Sequence, residues 1–166
     1  TGDKISLQRF VLSVLLDDVL VEASHRLELM SRGRYRLLRK IERSKGNKAS
    51  GLELEIEDGY TGKVRPVSTL SGGESFLAAL ALALGLSDVV QAYAGGIRLD
   101  TLFIDEGFGS LDPESLELAI RTLIDLQASG RMVGVISHVS ELKEQFTTRI
   151  DLKSSSRGSS ISLSVP

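Results

Sequence analysis

Leu102-Phe103-Ile104-Asp105-Glu106 decides how this chain is read: an apolar run of strand length ends in two adjacent carboxylates. A short apolar run bounded by turn signals reads as a buried strand, and in open α/β sheets the loops at strand carboxyl ends form ligand sites. Upstream, 34 residues from Asp105 to Ser71, stands Leu70-Ser71-Gly72-Gly73-Glu74, ahead of a strongly apolar helical run. Ser-Gly-Gly at a helix start presents several backbone N–H groups, the helix dipole adds partial positive charge, and glycine permits close approach of a phosphate.

Working outward, Ser71 or Gly72 opens a helix expected to run to about Tyr93, where Gly95-Gly96 ends it. Thr101 to Asp105 and Met132 to Ile136 read as buried strands. Between them Asp112 has the character of an N-cap with Pro113 at the first helical position, and Leu116, Ile120, Leu123 and Gln127 mark the helix that follows. A strand, a crossover helix and a strand imply parallel pairing with a right-handed connection. That places Glu106 and His138 at one sheet edge. Before Leu70-Ser71-Gly72-Gly73-Glu74, Ser6 to Ser31 reads as one long helix with Leu12, Leu16, Val19, Ala23, Leu27 and Met30 on one stripe, widened by Phe10, Val11, Val14 and Leu20. Gly33 breaks it. Arg34 to Ile41 and Leu52 to Ile56 read as two strands of a hairpin or short sheet, Gly59-Tyr60-Thr61-Gly62 as a turn, and Thr148 to Leu152 with Ser160 to Val165 as a terminal hairpin. The class is α/β: a parallel sheet flanked by helices, with an N-terminal helix and small antiparallel elements.

Composition bounds the rest. The chain has 166 residues, no cysteine, 42% apolar residues and a formal net charge of -2. Disulfides and thiolate metal sites are excluded. The longest apolar run, Phe76 to Leu86, falls short of the roughly 20 residues of a membrane span, so no membrane contact and a cytoplasmic location are expected. The pattern opens in mid-helix after Thr1-Gly2, as in a segment of something longer. Charge is uneven. Arg26 to Lys48 carries a net +7, leaving -9 over the remainder, and Arg32, Arg34, Arg36, Arg39, Lys40 and Arg43 are the candidate DNA-facing residues. The competing reading is a solvated strand surface.

Phosphoryl transfer to water needs a metal and a positioned water. Asp105, held at the strand end, suits Mg2+, which takes one or two protein carboxylates and keeps several waters. Glu106 suits a general base, and His138, after Val133-Gly134-Val135-Ile136-Ser137, a sensor of the terminal phosphate. Alone, each signal has an ordinary reading: a capped strand with two solvated acids, an N-cap, a structural histidine. Together they read as the second half of an ATP-hydrolysing site. The first half, G-x-x-x-x-G-K-[ST], does not occur in these residues, so the chain supplies chemistry to a site completed elsewhere.

The order of signature, Asp-Glu strand, Ser110-Leu111-Asp112 and His138 resembles the C-terminal half of an ABC-type ATPase, with signature, Walker B, D-loop and H-loop in sequence. Transporter signatures commonly read LSGGQ followed by basic residues. Here Glu74-Ser75 and Phe76-Leu77-Ala78-Ala79-Leu80-Ala81-Leu82 follow, similar to the chromosome-maintenance and repair branch. Phe103 to Asp112, and Leu27-Glu28-Leu29-Met30-Ser31-Arg32-Gly33-Arg34-Tyr35, resemble the SbcC family, ATPase subunits of bacterial SbcCD nucleases, over about Leu7 to Leu152.

That resemblance implies two domains: residues 1–31 as a coiled-coil root and dock for an SbcD-like nuclease (candidates Phe10, Val14 and Leu20), and 32–166 as the C-terminal lobe of a split head whose N-terminal lobe carries the Walker A. ATP and Mg2+ are the implied cofactors. A second copy of the head, the nuclease subunit and DNA are the implied partners. It also implies that Ser71, Gly72, Gly73 and Glu74 act on a nucleotide held by the opposite head, Asp105, Glu106 and His138 on that of their own head, and that Asp112 couples the sites. A RecN-like or SMC-like ATPase lobe, or a non-catalytic dimerising scaffold, are the alternatives. Half of such a head is expected to expose a large apolar face.

Overall fold

A computed structural model describes residues 7–40, 52–95, 99–156 and 158–165, with side chains from residue 11 onward. Helix α1 spans Leu7–Met30 and helix α2 spans Gly72–Tyr93. They pack along each other and form the main contact of the fold. Gly85 marks their closest approach: a Cβ there would lie 2.8 Å from both Val19 O and Ala23 N. Leu20, Ala23, Leu27 and Met30 of α1 meet Leu77, Ala78, Leu80, Ala81 and Leu84 of α2 in one buried cluster. By length and composition α2 could cross a membrane, but its face against α1 makes it a core helix.

The turn after α1 uses two left-handed residues, Arg32 (φ 56°) and Gly33 (φ 76°). Gly33 N–H closes back on Glu28 O at 2.7 Å, a C-terminal turn that satisfies free helix carbonyls. The chain then enters a three-stranded antiparallel sheet of β1 (Tyr35–Arg39), β2 (Leu54–Asp58) and β3 (Lys63–Pro66), in that order. The expected hairpin is present, and β3 extends it. Tyr35, Leu37 and Ile56 point into the core. Ser24 of α1 both accepts from Leu37 N–H and donates to Leu37 O, each at 3.0 Å, so the β1 edge is satisfied by a helix side chain.

Strands β4 (Thr101–Asp105) and β5 (Met132–Ile136) pair in parallel, joined by α3 (Pro113–Ala128), as the sequence predicts. The expectation of buried strands holds for Ile104 but not for the opposite face: Phe103 is 71% exposed, and Met132 and Ile136 are exposed as well. A parallel strand normally has both faces covered; among the described residues only one face of this pair is. Helix α4 (Ser140–Gln145), unforeseen in the sequence, precedes the terminal hairpin of β6 (Arg149–Ser155) and β7 (Gly158–Ser164). In register, Ile150 faces Leu163 and Leu152 faces Ile161, and all four are largely exposed. Exposed apolar side chains thus stand on both strand pairs.

One expectation on α1 changes. Leu20, a candidate for nuclease docking, is buried, because it shares the inward stripe with Ala23 and Leu27 at helical spacing. Val14 is exposed, with Val11 and Val21. Phe10 lies in α1, but its side chain is outside the described residues.

Candidate nucleotide site

Ser71 is the N-cap of α2. Its hydroxyl accepts from Glu74 N–H at 3.3 Å, and Glu74 Oε2 accepts from Ser71 N–H at 2.8 Å. This reciprocal capping box fixes the first turn. The start of α2 packs on the segment that follows β4. A Cβ on Gly73 would sit 2.5 Å from Ser110 O and 3.5 Å from Leu111 Cδ2, so only glycine lets the signature turn lie against Ser110-Leu111. Phe76 packs edge-on to Phe108, ring centroids 4.8 Å apart, and its ring leaves no room for a side chain at Gly107.

Asp105 ends β4 with an exposed side chain. Glu106 follows with φ 59°, a left-handed conformation uncommon for a residue with a Cβ, and its N–H is held by Ile136 O at 2.9 Å. The turn moves the Glu106 carboxylate off the strand line and toward β5, where its Oε2 lies 3.0 Å from His138 Nδ1. The sheet edge thus joins Glu106 and His138 as the parallel pairing predicts, and both remain solvent-accessible. Asp112 caps α3, accepting from Ser115 N–H at 3.0 Å and Ser115 Oγ at 2.6 Å. Those bonds, the hydroxyl's first, hold its carboxyl below the usual range.

The basic segment differs from expectation. Each described member has an acid partner: Arg26 with Asp88, Arg32 with Glu114, Arg34 with Asp58 and Glu74, Arg36 with Glu28, Arg39 with Asp17, Lys40 with Glu53. Five of these six pair with acids that lie before or after the segment in the chain, and Arg36 pairs with Glu28 inside it. Arg43 lies outside the described residues.

Sequence reasoning missed the surroundings of Glu74. The Tyr35 hydroxyl donates to Glu74 Oε1. Arg34 Nη1 lies 3.7 Å from that oxygen, and Arg65 Nη2 lies 4.0 Å from Oε2. Arg34 also stacks over the Tyr35 ring at 4.6 Å and forks onto Asp58 at 3.3 and 3.0 Å. Burial opposes the Glu74 charge, yet the bonds from Tyr35 and Ser71 and the nearby Arg34 outweigh it and hold the carboxyl below its usual range. Burial, and then the bond to Glu74, push the Tyr35 phenol up to about 12. The strand that carries Tyr35 was legible, but the polar target of its side chain was not.

The SbcC/RAD50-like Walker B motif family matches residues 47–125. The SbcC component of the SbcCD nuclease from Vibrio cholerae is 71% identical over 163 residues, 98% of this chain and 16% of that protein. The chain is an SbcC/RAD50-like segment. The corresponding protein of Staphylococcus epidermidis is 53% identical over 91% of the chain and 15% of its own length. The SbcC-like chain thus spans about one sixth of these relatives. Two solved SMC structures share the fold. One, described as the structural biochemistry of ATP-driven dimerization and DNA-stimulated activation of SMC ATPases, aligns with a TM-score of 0.69 at 18% identity, covering 93% of this chain and 88% of its own. The other, an Smc head domain with a coiled coil and joint from Pyrococcus yayanosii, also scores 0.69 at 18% identity, covering 94% and 28%.

Proposed function

We propose that this SbcC-like segment is the C-terminal lobe of a split ABC-type ATPase head, which hydrolyses ATP together with a Walker A lobe and pairs with a second head when ATP binds. The observation that carries the reading is the single surface on which the Ser71–Glu74 turn, the Ser110–Asp112 loop and the Glu106–His138 pair are all built. Residues 1–31 act as the coiled-coil root and 32–166 as the lobe. The resemblance to named SbcCD proteins supports DNA and a nuclease subunit as partners in the cytoplasm, with exposed Val14, beside Phe10, as candidate dock.

The residues present suit Mg2+. Asp105 offers an accessible carboxylate at a strand end, and this ion takes only one or two protein carboxylates when phosphates and waters complete its shell. Mg2+ would neutralise charge developing on the phosphates. Glu106 would take the proton of the attacking water, and His138, hydrogen-bonded to Glu106, would fix the direction of its carboxylate. Ser71 and the N–H groups of Gly72 and Gly73 would receive the terminal phosphate of the nucleotide on the opposite head, and Asp112 would link the two sites. Contact of Arg32, Arg36, Arg39 and Lys40 with DNA would require phosphate to replace their present carboxylate partners.

The test is ATP hydrolysis by this chain, alone and mixed with a lobe that carries the P-loop. Activity only in the mixture, lost in Glu106→Gln, supports the shared site. Activity of the chain alone refutes the division of labour. An assembled but inactive mixture favours a dimerising scaffold.

A further inference from the structure

Glu74 presents a difficulty for the function just proposed: it puts a carboxylate three residues from the serine that would receive a triphosphate. The structure supplies an answer. Both Glu74 oxygens are engaged, Oε1 by the Tyr35 hydroxyl and Oε2 by Ser71 N–H, and two guanidinium groups stand within 4.0 Å. Tyr35 is 3% exposed, and its backbone N–H is held by Ser31 Oγ at 3.0 Å, in the turn where α1 ends. Arg34 is itself fixed by the fork onto buried Asp58.

We propose that Tyr35, backed by Arg34 and Arg65, is a positioning residue that holds Glu74 as a charge-compensated clamp on Ser71 and so readies the signature turn to receive the terminal phosphate of a nucleoside triphosphate on a second head. This rests on the trans role of the signature given above. Without the phenol, the Oε1 atom loses its donor, the carboxylate rotates away from Ser71 N–H, and its negative charge is less compensated beside the incoming phosphate. With a neutral amide at position 74, that charge is gone and the phenol matters little. The effect should therefore depend on the identity of residue 74.

The experiment uses the full-length protein. ATP-dependent head pairing is titrated in wild type, Tyr35→Phe, Glu74→Gln, the double variant and Ser71→Arg, alongside binding of ATP to unpaired heads. Tyr35→Phe keeps the ring that packs in the core. It is expected to raise the ATP concentration for half-maximal pairing roughly tenfold, the typical scale of one lost charge-assisted hydrogen bond, while ATP binding to unpaired heads is unchanged. In the Glu74→Gln background the same change should have an effect below about twofold, the signature of a coupled pair. Equal penalties in both backgrounds, or none in either, would overturn the assignment. If Ser71→Arg leaves pairing intact, it is the trans reading of the signature that fails. If Ser71→Arg blocks pairing while Tyr35→Phe does nothing, only the positioning role fails.

Discussion

Replacing Gly85 with alanine sets two physical effects against each other. In a helix interior, alanine is favoured over glycine by about 1 kcal/mol, so sequence propensity alone predicts a firmer α2. The structure predicts the reverse. The new Cβ would lie 2.8 Å from two backbone atoms of α1, Val19 O and Ala23 N, and 3.1 Å from Ala23 Cβ. Backbone cannot step aside as a flexible side chain can. Restoring an ordinary distance of 3.4 Å parts the helices by about 0.6 Å, a gap that forfeits roughly a quarter of each dispersion contact across it. Overpacking of this kind costs about 1–3 kcal/mol. After the propensity gain, a net loss of about 1–2 kcal/mol remains at the upper end of that range, a factor of about 5–30 in local opening. Amide hydrogen exchange of α1 and α2 in the full-length protein reads that opening directly. Ala83→Gly, at an exposed position of the same helix, calibrates propensity alone. Slower exchange in Gly85→Ala than in wild type would refute the packing argument, because it would mean that the helices separate at no cost.

Glu106→Gln in the full-length protein should lower ATP turnover by on the order of 100-fold yet leave ATP-dependent pairing intact; normal turnover would remove Glu106 from the role of base. Asp58 is held below the usual carboxylate range, first by the hydrogen bond from Arg34 and then by the N–H groups of Tyr60 and Thr61, against the desolvation that burial brings. A depressed folded value means that its stabilisation is present above about pH 3.9, the unfolded value, and is lost as pH falls through the folded value. Asp58→Asn should therefore raise amide exchange in β1 to β3 at neutral pH and differ little from wild type once the pH is below both values; a difference that persists there would point to a cause other than ionisation. Reversing the charge of Arg32, Arg36 and Arg39 should weaken DNA binding by the full-length protein and flatten its dependence on salt. An identical salt slope would leave those residues to their carboxylate partners.

Much of the fold was legible because its signals are local. The helix start at Ser71, the Asp112-Pro113 helix start and the glycine after α1 each act within a few residues, through backbone hydrogen bonds between near neighbours. The parallel pairing of β4 and β5, and with it the meeting of Glu106 and His138, followed from a strand–helix–strand order that has one favoured handedness. Tertiary structure decided what distant segments do to one another. The basic run reads as +7 along the chain, yet Asp17, Glu53, Asp58, Asp88 and Glu114 arrive from outside it and pair with five of its described members. Leu20 reads as one more apolar residue on a wide helix face, and only the packing of α2 shows which way it turns. Tyr35 reaches Glu74 across 39 residues of sequence. Hydrogen bonds within a turn depend on neighbours already tethered by the chain. Ion pairs and buried contacts between segments depend on which surfaces the closed fold brings together, and a linear pattern does not record that.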